Sequence, residues 1–116
     1  MVGVGQLDGN KGFQNAVSNP KVYTVIKFYA PWCGACKMMA PHFNRIAGEL
    51  PAEQFAFYRM DVESNKDVAR QLNIEMLPTF VVYKGGQLLY KQTGTVHDKL
   101  RRSLVDLMNN RRVSVS

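Results

Sequence analysis

Apolar residues in this chain come in short runs that switch between a period of two and a period near 3.6. Val22–Ala30 reads V-Y-T-V-I-K-F-Y-A and is apolar at both odd and even positions, as a central strand covered on both faces would be. Lys27 is the one interruption in that run. From Gly34 to Leu50 the pattern becomes helical, with Met39, Phe43, Ile46, Ala47 and Leu50 along one side and Pro41 inside, where a kink is expected. Upstream, Gly3–Gln6 predicts a short strand, and Asn10–Ser18 a helix carrying Phe13 and Val17, stopped by Asn19-Pro20. Downstream, Gln54–Met60 predicts a strand and Ser64–Leu72 a short helix with Val68, Ala69 and Leu72 on one side. Thr79–Lys84 and Gln87–Gln92 flank Gly85-Gly86, a pair suited to a tight hairpin because both glycines accept positive φ. A last helix carries Leu100, Leu104, Leu107 and Met108, with Thr95 expected as its cap and Asp98 three residues on. Arg111–Ser116 is expected to be a flexible tail, leaving residues 1–110 as the domain. Strands alternating with helices predict an α/β domain. Its mixed sheet should have helices on both faces, early strands parallel through crossovers, and a closing hairpin.

Size and composition narrow the function classes. A chain of 116 residues with 46% hydrophobic and 21% charged residues fits one globular domain that can hold a core without metal or disulfide staples. The formal charge of +6 invites acidic partners or nucleic acid. The cations are spread, however, and the densest groups are Arg101-Arg102 and Arg111-Arg112. No stretch interleaves them with base-stacking aromatics, so no nucleic-acid role is expected. Runs such as Phe80–Tyr83 are too short for a bilayer. Met1–Asn10 lacks the positive region and apolar core of a secretory signal, and no Asn-x-Ser/Thr acceptor occurs. A cytoplasmic setting is the expectation, with an organelle open if a targeting segment has been removed. Nothing points to a stable oligomer, and a monomer is expected. His42 and His97 are expected as surface residues.

The candidate chemistry lies in Trp32-Cys33-Gly34-Ala35-Cys36, where the central strand gives way to a helix. Unpaired N–H groups and the positive end of the helix dipole favour a negative sulfur at Cys33, and the thiolate is the form that attacks a disulfide. Positions i and i+3 share one side of a first turn, within the roughly 4.4–6.8 Å Cα separation a disulfide needs. Cys36 can therefore reach a mixed disulfide on Cys33, and Gly34 lets another backbone come close. Three other readings remain open. A zinc site needs about four ligands, while His42 and His97 stand at no ligand-like spacing from the cysteines, so no metal is expected. A structural disulfide would close a tiny loop and remove little unfolded-chain entropy. Two inert core thiols would sit oddly at a strand end beside Trp32 and Gly34.

The segment Phe28–Lys37, with Ala40-Pro41 after it, resembles the active-site signature of the thioredoxin family. Leu77-Pro78-Thr79 resembles that family's cis-proline loop, Lys84-Gly85-Gly86 its hairpin, and Gly94 the glycine before its last helix. The resemblance spans about residues 4–110. It implies a thioredoxin fold of about five strands and four helices, an exposed nucleophilic Cys33 and a buried resolving Cys36. It also implies a cis Pro78 and a docking surface of Trp32, Gly34, Leu77, Pro78 and Gly94, on which a substrate strand pairs with the Leu77 backbone. The implied activity is reduction of protein disulfides, with no bound cofactor. Electrons would come from NADPH through a thioredoxin-reductase-type flavoenzyme.

Two departures affect the chemistry. Ala35 replaces the proline usual between the cysteines, leaving the first turn less restricted. Lys27 stands where the family normally places a buried acid beneath the cysteines. A charged amine near the sulfurs would favour thiolates and make the pair more oxidising; alternatively Lys27 snorkels to solvent. Two other functions compete: a disulfide isomerase or oxidase, and a thioredoxin-fold binding module without turnover. The first usually has His where Ala35 stands, and the second has no need of both cysteines.

Overall fold

The computed structural model of the chain describes residues 3–113. In chain order the elements are β1 (Val4–Leu7), α1 (Gly9–Val17), β2 (Tyr23–Tyr29), α2 (Gly34–Glu49), β3 (Phe55–Asp61), α3 (Lys66–Gln71), β4 (Thr79–Lys84), β5 (Gln87–Thr93) and α4 (His97–Met108). The sheet order is β1-β3-β2-β4-β5. The first three strands are parallel, β4 runs antiparallel to β2, and β5 antiparallel to β4, in the expected pattern. Gly85 and Gly86 take φ of 59° and 82°. Their amides donate to the carbonyls of Asn19 and Val17, so the hairpin turn is fastened to the end of α1.

Each face of the sheet has its own core. Alternation along β2 sends Val25 toward α2 and α4, where it joins Met39, Phe43, Ile46, Leu100 and Leu104. Ile26 and Phe28 point the other way, into a cluster with Phe13, Val17 and Val68 from α1 and α3. The period-two and period-3.6 patterns thus meet on two layers of helix around one sheet. Phe43 anchors the larger core, with ring centroids 5.6 Å from Phe57 and 5.4 Å from Phe80. Helix α2 is continuous through Pro41, which removes one interior hydrogen bond without ending the element.

Two local expectations are corrected. Helix α4 starts at His97 with Val96 as its N-cap and no side-chain cap, so Thr95 does not cap it. The preceding turn is held otherwise: Gly94 donates its amide to the Pro78 carbonyl (3.0 Å) and Gln92 Nε2 donates to the Val96 carbonyl (3.0 Å). Helix α3 starts at Lys66, later than Ser64, because buried Asn65 is used as a tie. Its Oδ1 accepts from the Gly9 amide (2.7 Å) and its Nδ2 donates to the Asp61 carbonyl (2.9 Å). The partly exposed rings of His42 and His97 stack with centroids 3.8 Å apart and planes 3° from parallel, joining α2 to α4. Arg45 lies 3.1 Å from the His42 ring nitrogen Nδ1, and Asp98 lies 3.3 Å from His97 Nδ1. Among the expected tail residues, the Arg111 amide donates to the Asp106 carbonyl and Val113 packs on the core; residues 114–116 lie outside the described residues.

Two outcomes follow from this packing. Phe43→Ala should cost about 3–5 kcal/mol in urea unfolding, because the ring bridges α2 to two strands and its loss leaves a cavity. The second concerns acid. Partial burial, then the facing His97 ring and the Arg45 guanidinium, lower the His42 pKa below 6.5, with Asp98 opposing them. The unfolded chain therefore takes up that proton first, so stability is complete above about pH 6.5 and falls as the pH drops below it. Melting temperature recorded from pH 8 to pH 5 should decline on the acid side, and less so in His97→Asn.

Candidate active site

β2 ends at Tyr29, and Ala30-Pro31-Trp32 carries the chain from the sheet to the start of α2. The turn is closed by the Cys33 amide donating to the Ala30 carbonyl (3.1 Å), while the Val62 amide donates to the Tyr29 carbonyl (2.9 Å). Cys33 is the N-cap of α2: its backbone is extended and its Sγ accepts a hydrogen bond from the Cys36 amide at 3.1 Å. One of the helix's unpaired donors is thus aimed at sulfur. Cys33 and Cys36 form a disulfide with Cα atoms 5.3 Å apart, inside the required range.

The exposed nucleophile expected at Cys33 is corrected. In the disulfide form Cys33 is 6% exposed and Cys36 3%, so the two differ little. Tyr29, Ala35, Val62 and Leu77 pack against the cluster that the pair forms with Ala30. Trp32, by contrast, is 68% exposed and is no core residue; its indole Nε1 donates to Glu63 Oε1 at 2.8 Å.

The residues expected to dock substrate lie at the same end of the sheet. The Leu77–Pro78 peptide bond is cis, and Pro78 is buried. Gly94 has φ of 92°, a conformation that favours glycine, and its bond to Pro78 ties the β5–α4 turn to the cis-proline loop. Gly34 is different. A Cβ there would meet nothing within 4 Å, so no contact inside the chain calls for a glycine.

Strand parity places Lys27 beneath the cysteine helix. It shares the Val25 side of β2, and its Nζ lies 5.5 Å from the Phe43 ring centroid and 5.8 Å from that of Tyr29. The residue is 4% exposed, so it does not snorkel into open solvent. In the parallel register Lys27 lies beside Arg59, which also points to the α2 side, following Phe55 and Phe57. Burial first, and the Arg59 charge second, lower the Lys27 pKa below its ordinary 10.5. A cavity of about 140 Å³ opens here, lined by Cys36, Lys27, Lys37, Arg59, Tyr29 and Ala40 among others.

Sequence reasoning did not single out Arg59 or Glu63. Arg59 carried a signal, since it breaks the inward apolar alternation of its strand as Lys27 does. Glu63 carried none, because its pairing with Trp32 depends on how two loops meet.

The arrangement is a dithiol pair that can close to a disulfide at a helix start, beside a cis-proline loop and above a buried amine. Known proteins share the fold. The family model described as Thioredoxin matches residues 5–106. Thioredoxin H2-2 of Oryza sativa subsp. japonica is 39% identical over 87 residues, covering 75% of this chain; the aligned region spans 63% of the rice protein's length. Among solved structures, the thioredoxin of Malassezia sympodialis superposes with a TM-score of 0.86 at 30% identity, covering 91% of each chain. The oxidised mitochondrial thioredoxin 3 of Saccharomyces cerevisiae gives a TM-score of 0.81 at 35% identity, over 89% of this chain and 94% of that one. With the family model covering most of its length, this chain belongs to the thioredoxin family.

Proposed function

We propose that the chain is a thiol–disulfide oxidoreductase that reduces disulfides in other proteins through Cys33 and Cys36. The observation that carries this reading is the pair itself: two sulfurs bonded across the first turn of α2, with the Cys36 amide on the Cys33 sulfur. In the reduced protein that amide and the helix start favour a Cys33 thiolate. The thiolate attacks one sulfur of a substrate disulfide and forms a mixed disulfide, while the other substrate sulfur leaves and takes a proton. Cys36 then loses its proton and attacks Cys33 Sγ. The second substrate thiol leaves, and the pair is left oxidised by two electrons. No cofactor takes part in these steps. The next cycle needs two electrons, for which the proposed source is NADPH through a thioredoxin-reductase-type flavoenzyme.

Substrate docks, in this reading, across Trp32, Gly34, Leu77, Pro78 and Gly94. Open space over Gly34 supports close backbone approach, and the Leu77 main chain is the proposed strand partner. Both cysteines of the chain belong to the pair, which suits a reducing compartment, the cytoplasm in the first instance. No helix among the described residues is long and apolar enough to cross a membrane.

Lys27 and Ala35 are the proposed tuning residues. A cation below the sulfurs stabilises thiolates and hence the reduced form, and Ala35 leaves the first turn freer than proline would. The lysine makes the pair more oxidising than a typical thioredoxin, and Ala35 is a second reason for its potential to differ.

Turnover is tested with insulin and dithiothreitol. Wild type should speed precipitation of the insulin B chain, Cys33→Ser should fall to the uncatalysed background, and Cys36→Ser should accumulate a mixed disulfide on Cys33. A wild-type rate equal to background would refute the reductase reading. Equilibration against a glutathione couple should give a potential above about −270 mV, and Lys27→Asp should lower it by roughly 30 mV or more, the equivalent of about 1.4 kcal/mol. An unchanged potential in that variant would show that the amine does not act on the sulfurs.

A further inference from the structure

The cavity beside Cys36 has a charge composition that the reductase cycle leaves unused. Three cations reach it from three elements: Lys27 from β2, Arg59 from β3 and Lys37 from α2. No acidic residue lines it. Lys27, 96% buried, makes no hydrogen bond or ion pair with any described residue, and its nearest recorded partners are the two ring faces, 5.5 and 5.8 Å away. Its nitrogen is not sealed from solvent, since no fully buried side-chain nitrogen or oxygen among the described residues lacks a partner, so the cavity leaves the charge open to an anion. Arg59 commits its Nε to Gln6 Oε1 (2.7 Å), and its terminal nitrogens have no partner among the described residues. Lys37, exposed on the first turn of α2, is likewise unpaired among them. The carboxylate best placed to intervene, Asp61, is turned to the Glu63 amide, which donates to its Oδ1 at 2.8 Å. The cavity, at about 140 Å³, has room for several waters, and so for one tetrahedral ion in their place.

We propose that this cavity is a binding site for a small oxyanion, free phosphate in the first instance, placed to take the proton of Cys36. Lys27 and Arg59 hold the anion from the sheet side and Lys37 from the helix side. Cys36 is among the residues that line the same cavity. Dibasic phosphate there accepts the Cys36 proton and becomes monobasic phosphate. The freed thiolate displaces the substrate sulfur from Cys33, forming the Cys33–Cys36 bond as the mixed disulfide breaks. The substrate thiolate then takes a proton from water, and monobasic phosphate gives its proton to the hydroxide left behind, which restores dibasic phosphate. Electrons move only between sulfurs, and the phosphate is neither oxidised nor consumed. The binding half of this proposal stands on the cavity alone, while the proton half rests on the reductase reading.

Sulfate and phosphate separate the two halves, since both are tetrahedral anions but only phosphate is basic near neutrality. At pH 7 and constant ionic strength set by chloride, both anions should raise the melting temperature of the full chain in a saturable way and shift the amide resonances of Lys27, Lys37 and Arg59. Lys27→Met and Arg59→Gln should each weaken binding about tenfold or more, while Arg102→Gln, a surface cation outside the cavity, should not. Release of a preformed mixed disulfide on Cys33, followed by stopped flow, should accelerate several-fold with phosphate and not with sulfate. That acceleration should vanish in Lys27→Met. A response to phosphate that never saturates, or that survives both cavity variants, would overturn the site. Equal acceleration by sulfate, or saturable binding without acceleration, would overturn the proton role. A protein that binds phosphate yet never turns over insulin would sink the reductase reading and leave the site standing.

Discussion

The contact from the Cys36 amide to the Cys33 sulfur ties the fold to the chemistry. It exists because a helix begins where a strand ends, and a helix start leaves amides without internal partners. A sulfur at the N-cap is one of the few side chains that can both receive such an amide and react. The sheet makes the arrangement rigid. β2 is flanked by β3 and β4 and covered by helices on both faces, so the position of Cys33 is set by strand pairing and by two cores at once.

The same strand determines what lies below the sulfurs. Side chains alternate across a sheet, so a residue two positions after Val25 must face α2, and that residue is Lys27. Parallel pairing then brings Arg59 beside it with no freedom of choice. Two cations therefore share one face of the sheet near a thiol pair. The chain tolerates them because they sit at the edge of the large core, against ring faces and an open cavity, not within the contiguous apolar clusters. Ring faces within about 6 Å supply some attraction to a cation, though less than a carboxylate would.

Much of the fold was legible in the sequence, because its strongest patterns are the ones packing enforces. The doubly apolar run of β2, the helical stripe of α2 and the Gly85-Gly86 turn each gave their element to within a residue or two. What failed was chemistry that depends on distant partners. Thr95 resembled a cap, but the turn before α4 is stabilised by Pro78 and Gln92 instead. Asn65 resembled helix sequence, but its amide is spent joining α1 to the end of β3. His42 and His97 lie 55 positions apart, and only the packing of α2 on α4 stacks their rings. At the site, the Cys33–Cys36 spacing spoke directly. The cis Pro78 came through the family resemblance, and the low exposure of Cys33 could not be read from spacing at all.

The separation between core and site explains how such a fold can vary its chemistry. Phe43 holds α2 on the sheet by packing against Phe57 and Phe80, and Lys27 adds only its Nζ over one ring face, 5.5 Å from the Phe43 centroid. Charge at position 27 therefore acts on the sulfurs through space more than through the backbone. Its sign can change without moving the Cys36 amide from the Cys33 sulfur. Geometry common to the family thus leaves the electrostatics free to vary, and in this chain they run positive: a lysine beneath the thiols, an arginine beside it, and a lysine on the helix above.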